Sequence, residues 1–225
     1  MKTKSKLIKI YLFGDSICYG QLISSHQTWA SHLARELESR NNADREFLTQ
    51  NTGVNGNTSR QALERMRYDI TSHSPDFILV QFGMNDCNYW ETDFGIPRVS
   101  QNAFVANLEE IINKAFSAGV KHCFLATNHP SNKGPFKTIS TITYDKSNAE
   151  YNELIREVYK SMIASGVPIT LIDNEANFEK YLAENQSVNL SDLLLEDGVH
   201  LSELGHKLYI DYAVKIVTSK VTKLL

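Results

Sequence analysis

The chain has few cysteines, no excess of basic charge and no long hydrophobic run. Its three cysteines are scattered among 225 residues and fit no Cys-x-x-Cys spacing, which argues against a disulfide scaffold or a zinc site and favours reduced, packed thiols. The 23 basic and 26 acidic residues give a net charge of −3. The chain therefore lacks the excess of basic residues with which nucleic-acid-binding proteins neutralise phosphates. No stretch approaches the roughly 18 apolar residues of a membrane span. We therefore expect no nucleic-acid partner and no stable membrane association.

The first residues are basic, as in the start of a secretory signal. The apolar run behind them covers only 7–13, contains Lys9, and ends in the polar segment 14–16 instead of a small-residue cleavage site. The sequence therefore predicts a cytoplasmic location.

Short apolar segments alternate with segments of helical periodicity. The predicted strands are Leu7–Phe13, Glu46–Gln50, Phe77–Phe82, His122–Thr127 and Pro168–Ile172. The predicted helices are 28–40, 59–72, 101–117, 148–164, 175–184 and 202–223. Repeated strand-then-helix units predict an α/β fold, with a parallel sheet covered by helices on both faces.

Two local features concern the middle of the chain. Ser147-x-x-Glu150 has the spacing of a capping box, which predicts that a helix opens there. The connection 128–146 is longer than most in compact domains. We interpret it either as a mobile lid over a ligand site or as a disordered loop.

Polar segments follow the first three predicted strands, where parallel sheets bind their ligands. Ser16 follows the first strand, the segment 51–58 (NTGVNGNT) follows the second, and Asn85 follows the third. Each also has a purely structural interpretation as a helix cap or a polar turn, with Thr58 as the cap of the next helix.

Asp197 precedes His200 by three residues in a predicted turn. A carboxylate at this spacing can accept a hydrogen bond from one imidazole nitrogen and leave the other free as a base. Glu203 and His206 have the same spacing, but within a predicted helix, where such pairs usually decorate the surface. A hydroxyl, a base with an orienting carboxylate, and fixed donors are together what ester cleavage needs.

Together these segments resemble the GDSL or SGNH hydrolase superfamily, which is named for a Ser, a Gly, an Asn and a His in separate sequence blocks. The Gly-x-Ser-x-Gly elbow of α/β-hydrolases is absent at Ser16. The matching segments run from residue 14 to residue 200, so we expect one domain over 1–225. In order they are Gly14-Asp15-Ser16 with Gly20, Gly53-x-x-Gly56, Gly83-x-Asn85-Asp86 and Asp197-x-x-His200.

The resemblance implies a flavodoxin-like three-layer α/β/α sandwich with a five-stranded, mainly parallel sheet. It implies Ser16 as nucleophile, His200 as general base and then acid, and Asp197 as the orienting carboxylate. The implied oxyanion hole consists of the backbone N–H groups of Ser16 and Gly56 and the Asn85 side chain. No cofactor is implied. A metal is not expected either, because the aspartates of these segments lack histidine partners at ligand spacing.

The substrate is expected to be a small-molecule acyl ester, with an acetyl ester of a carbohydrate as the first choice. Predicted substrate contacts are Asp15, Tyr89, Trp90 and His129, with Trp90 packed on the core as the alternative. Cys18 and Cys87 are expected in the walls of the site.

Other functions stay open at this point. They are a short-chain acyl thioesterase, a lysophospholipase-type acylhydrolase, an acyltransferase on the same triad, and a non-catalytic flavodoxin-like binding domain. Nothing in the sequence determines the oligomeric state.

Overall fold

Five parallel strands form one sheet in the order β2-β1-β3-β4-β5. The structure, a computed structural model, describes residues 5–136 and 142–225. This strand order is that of flavodoxin-like folds, so the predicted fold class is confirmed. The strands are β1 Lys6–Gly14, β2 Arg45–Asn51, β3 Phe77–Gln81, β4 His122–Ala126 and β5 Ile169–Ile172.

The helices of the described residues cover both faces of the sheet. They are α1 Ser16–Tyr19, α2 Trp29–Glu38, α3 Ser59–Asp69, α4 Gln101–Ser117, α5 Tyr144–Ala164, α6 Asn174–Glu184, α7 Leu190–Leu193, α8 Glu203–Tyr209 and α9 Lys215–Lys223. A π-helical turn, Ile210–Val214, joins α8 to α9. The single helix predicted over 202–223 is therefore interrupted.

Two apolar cores lie on opposite faces of the sheet. Along β1, Ile10 and Leu12 belong to the core beneath α2 and α9, whereas Tyr11 and Phe13 belong to the core beneath α3, α4 and α5. The alternation follows from the two-residue period of a strand. All five residues of β3, and all five of β4, are buried, as expected for strands covered on both faces.

The predicted start of α5 is wrong. The helix begins at Tyr144, and Thr143 caps it by accepting a hydrogen bond from the Lys146 N–H at 3.2 Å. Ser147 lies inside the helix, where its hydroxyl donates to the buried Cys87 carbonyl at 2.9 Å. The capping-box spacing was therefore misleading, because Ser147 serves a tertiary contact.

The connection 128–146, for which both a lid and a plain loop were considered, is anchored at its start. Asn128 and His129 are buried, and the Asn128 N–H donates to Asn152 Oδ1 at 2.8 Å. Ser131 Oγ donates to Asp145 Oδ1 at 2.7 Å. Residues 137–141 of this connection lie outside the described residues.

The prediction that His206 lies on the surface is wrong. Its ring is buried, and Nδ1 accepts a hydrogen bond from the Trp29 N–H at 3.1 Å. Burial lowers the pKa of His206 to about 4, because the charged ring cannot be solvated there. A neutral histidine thus connects α8 to the first turn of α2.

This burial predicts a specific acid sensitivity. An unfolded histidine has a pKa near 6.5, so between pH 6.5 and 4 the unfolded state binds more protons at residue 206 and acid destabilises the fold. Between pH 7.5 and 5, the parent should lose about 2 kcal/mol more unfolding free energy than His206→Gln. Urea unfolding at each pH measures the free energy of unfolding. An equal change of this free energy with pH in the two proteins would contradict the prediction.

Candidate active site

Ser16 is the first residue of α1, directly behind the carboxyl end of β1. Asp15 caps the helix, with Oδ1 accepting from the Ile17 N–H at 2.9 Å. The tight turn needs Gly14, because a Cβ there would lie 2.8 Å from the Gln81 carbonyl oxygen. The strand end thus delivers the Ser16 hydroxyl to the edge of the sheet where parallel strands bind ligands.

The structure brings Ser16, His200 and Asp197 together. His200 Nε2 lies 2.8 Å from Ser16 Oγ, across 184 residues of sequence. On the other side of the ring, Nδ1 lies 2.5 Å from Asp197 Oδ2. A carboxylate only accepts, so Nδ1 carries the proton and Nε2 is free to accept from the serine hydroxyl.

Asp197 also shapes the turn that carries the histidine. Its Oδ1 accepts from the backbone N–H groups of Val199 and His200, each at 2.9 Å. Burial tends to raise the pKa of Asp197, but the hydrogen bonds from His200 and from the backbone outweigh it and hold the pKa below its ordinary value. The carboxylate is therefore ionised at neutral pH.

His129 supports the 197–200 turn through a hydrogen bond to the backbone of the turn. Its Nε2 lies 2.8 Å from the Val199 carbonyl oxygen, which only accepts, so Nε2 donates. Nδ1 then accepts from the Tyr209 hydroxyl at 2.9 Å, and that oxygen accepts from Gln81 Nε2 at 3.0 Å. Burial lowers the pKa of His129 to about 4 and keeps the ring neutral.

Two predicted substrate contacts do not fit this arrangement. His129 and Asp15 are both fully buried, so neither side chain reaches a ligand in the cleft. Asp15 instead accepts from Asn85 Nδ2, with 3.3 Å between Oδ2 and the nitrogen. Burial, assisted by the nearby charge of Asp86, raises the pKa of Asp15 to about 7.

The groups expected to bind an oxyanion border one cleft of about 270 Å³. Gly56 and Asn85 line it together with Ser16 and His200. Asn85 is oriented from both ends, because its Nδ2 donates to Asp15 and its Oδ1 accepts from Arg98 Nη1 at 3.3 Å. The structure therefore gathers the predicted nucleophile, base and donors around one small space.

A second cleft of about 450 Å³ adjoins the first. The two share Asn88, Lys133 and Tyr144 as lining residues. Tyr89 and Trp90, two of the predicted substrate contacts, line the second cleft.

The indole of Trp90 is 50% exposed and lies under the Arg98 guanidinium, 4.1 Å from its carbon. It is therefore not packed on the core. The expectation that Cys18 and Cys87 form walls of the site is wrong, because both are fully buried.

Sequence reasoning missed Tyr144 and Lys133 as lining residues of both clefts. Both belong to the connection 128–146, which follows β4 and was interpreted as a possible lid, but no spacing ties these two residues to Ser16. The Tyr144 hydroxyl donates to the Met84 carbonyl, in the loop that follows β3, at 2.6 Å, and this contact holds Tyr144 at the site.

Within residues 5–136 and 142–225, no group of three or more His, Cys, Asp or Glu side chains is placed to bind a metal ion. In the same part of the chain, no helix combines the length and apolarity needed to cross a membrane.

Comparison with known proteins identifies a matching family. The model of the GDSL-like lipase/acylhydrolase family matches residues 12–208. The uncharacterized lipoprotein YqeF of Bacillus subtilis is 25% identical over 174 residues, which cover 70% of this chain and 68% of that protein. An arylesterase of Vibrio mimicus is 24% identical over 137 residues, covering 61% of this chain and 62% of that one.

Among solved structures, the acetyl xylan esterase AlAXEase superposes with a TM-score of 0.73 at 21% identity. The match covers 93% of this chain and 100% of that one. This likeness is one of fold.

Proposed function

Because the chain belongs to the GDSL-like lipase/acylhydrolase family, whose enzymes act on ester bonds, we propose that it is a serine esterase with Ser16, His200 and Asp197 as its catalytic triad. The observation that carries the proposal is the 2.8 Å contact between Ser16 Oγ and His200 Nε2, with Asp197 bonded to the far side of the ring. A hydroxyl becomes a useful nucleophile when such a base takes its proton during attack.

The proposed reaction has two steps. Ser16 Oγ attacks the ester carbonyl while His200 Nε2 takes the hydroxyl proton, and the ionised Asp197 stabilises the resulting imidazolium. The tetrahedral intermediate collapses, the alcohol leaves with the proton from His200, and an acyl-enzyme forms. Water then attacks the acyl group with the same base, releasing the acid and the free serine.

The oxyanion of each intermediate would be bound by the N–H groups of Ser16 and Gly56 and by Asn85 Nδ2. As the first residue of α1, Ser16 has no acceptor for its N–H within the helix. The Asn85 amide already lies at the cleft. Donors fixed before the reaction stabilise developing charge without a cost of reorganisation.

We propose a short acyl group, with acetyl as the first choice. The cleft at Ser16 is small, and Met84, Tyr144 and Val199 provide its only clearly apolar side chains among the residues found to line it. A long acyl chain would need a continuous apolar surface to leave water. Little of this cleft offers one.

We propose a sugar as the alcohol part of the ester, because the lining of the second cleft suits one. The wall of this cleft contains the Tyr89 and Phe136 rings, 4.8 Å apart, and the exposed Trp90, with Asn88 and Lys133 as polar groups. Aromatic faces with a few polar groups suit a pyranose ring, whose faces are apolar and whose edges carry hydroxyls. A similar fold in a protein named acetyl xylan esterase is consistent with this choice.

A panel of esters tests the proposal. Between p-nitrophenyl acetate and p-nitrophenyl octanoate, kcat/KM should fall by about tenfold or more, because the longer chain finds no apolar channel. Acetylated methyl xyloside should release acetate. A preference for octanoate would instead favour a lysophospholipase-type acylhydrolase. Faster cleavage of an acetyl thioester would favour a thioesterase, and transfer of acetate to added sugar would favour an acyltransferase.

We also propose that residues 1–225 act as one catalytic domain, because the site draws on segments from residue 14 to residue 200. A cytoplasmic location is consistent with the free, buried thiols of Cys18, Cys87 and Cys123. The relative named a lipoprotein is the observation against that location.

A further inference from the structure

Arg98 contacts two parts of the proposed oxyanion hole at once. Its Nη1 donates to Asn85 Oδ1 at 3.3 Å, and its Nη2 donates to the Gly56 carbonyl oxygen at 3.1 Å. The two acceptors come from the loops that follow β2 and β3. The planar guanidinium, with donors in a fixed fork, is suited to such a bridge.

The contact with Arg98 fixes the orientation of the Asn85 amide, so that its oxygen faces Arg98 and its nitrogen faces Asp15. An amide has an accepting oxygen and a donating nitrogen, and only the nitrogen stabilises an oxyanion. Arg98 can only donate, so it holds Oδ1 on its own side. Asp15 Oδ2 accepts one hydrogen of Nδ2, which leaves the other hydrogen of that nitrogen for a ligand.

The backbone around Arg98 is itself fixed. The Arg98 N–H donates to the Asn88 carbonyl at 2.9 Å, and the Val99 N–H donates to the Asp86 carbonyl at 3.2 Å. Val99 is buried, and Trp90 lies against the guanidinium, 4.1 Å from ring centroid to carbon. The loop 86–98 therefore folds back and places its last charged residue beside Asn85.

We propose that Arg98 is a positioning residue for the oxyanion hole, fixing the rotation of the Asn85 amide and the position of the Gly56 peptide. This inference rests on the proposed serine esterase function. Arg98 acts through Asn85 and Gly56 and does not touch the reacting atoms. Its removal should therefore slow the chemical step and leave substrate binding largely intact.

The test is a double-mutant cycle on hydrolysis of p-nitrophenyl acetate. Asn85→Ala should lower kcat by about 100- to 1,000-fold, the usual effect of removing one oxyanion donor. Arg98→Met keeps the length of the side chain but loses its donors, and should lower kcat by about 10- to 100-fold with KM changed by less than about threefold. In the Asn85→Ala background, Arg98→Met should cost only about threefold, because most of its effect passes through Asn85.

Two further variants serve as controls for the cycle. Arg98→Lys keeps the charge but has no fork to bridge both acceptors, so its kcat should lie near that of Arg98→Met. Arg67→Met, at an exposed position of α3, should leave kcat unchanged. Thermal unfolding of each variant identifies any loss that comes from misfolding, and Arg98→Lys replaces Arg98→Met if the latter unfolds.

The outcomes separate this inference from the function on which it rests. Activity retained in Ser16→Ala would overturn both. With Ser16→Ala inactive, an unchanged kcat in Arg98→Met, an equal loss in the two backgrounds, or a change confined to KM would each overturn the role of Arg98 alone.

Discussion

Replacing Ser16 by alanine should lower kcat for p-nitrophenyl acetate by about 10,000-fold or more, close to the limit set by background hydrolysis. The variant keeps the cleft and the oxyanion donors but has no oxygen to form the acyl-enzyme. Among the residues that the structure describes, the only side-chain hydrogen bond of this hydroxyl is to His200, so the midpoint of thermal unfolding should move little. Steady-state hydrolysis and a thermal melt on the same preparation measure both quantities.

Covalent labelling provides the matched control. A fluorophosphonate probe should add its mass to one peptide of the parent, the one that contains Ser16, and to none in Ser16→Ala. Ser24→Ala removes an exposed serine hydroxyl on the next loop and should keep both labelling and activity. A folded parent that fails to react would favour the non-catalytic binding domain.

The second large effect is expected at Asp197. In Asp197→Asn, an amide replaces the carboxylate that holds the Nδ1 proton of His200, and the other tautomer, with its proton on Nε2, becomes available. That tautomer cannot take the proton of Ser16. We expect kcat to fall by about 1,000- to 10,000-fold. The activity should be compared at several pH values.

Glu196→Gln is the control for this variant, since it makes the same change of carboxylate to amide one residue earlier, at an exposed position. It should retain the parent's kcat. Asp197→Asn also loses part of the support for the turn, because Oδ1 accepts two backbone N–H groups. Full activity in a folded Asp197→Asn protein would refute the role of the carboxylate in orienting His200.

The strands of the sheet could be predicted from the sequence because each strand is recognisable from its own residues and the turn residues beside it. Each predicted strand overlaps the observed one to within one residue at either end, since a buried strand appears as an apolar run between turn residues. The positions of Ser16 and Asn85 followed from the rule that ligands lie beyond the strand ends, whereas His200 was predicted from its spacing to Asp197.

The errors share a physical cause, which is that burial depends on distant partners. His206 is buried because Trp29, 177 residues away, donates to it, and His129 is buried because Tyr209, 80 residues away, donates to it. No spacing within either segment contains this information. Ser147 matched a capping motif, yet its hydroxyl bonds to Cys87, 60 residues earlier.

The distance of 184 residues between Ser16 and His200 also bears on biosynthesis. While the ribosome is still making the chain, β1 and α1 are available early, but the proposed base is missing until residue 200 has been added. The turn at 197–200 is anchored through Tyr209 on α8, and His206 on the same helix pairs with α2. In the proposed mechanism, Ser16 of a nascent chain would have no base, and hydrolysis would begin only after this last segment has docked.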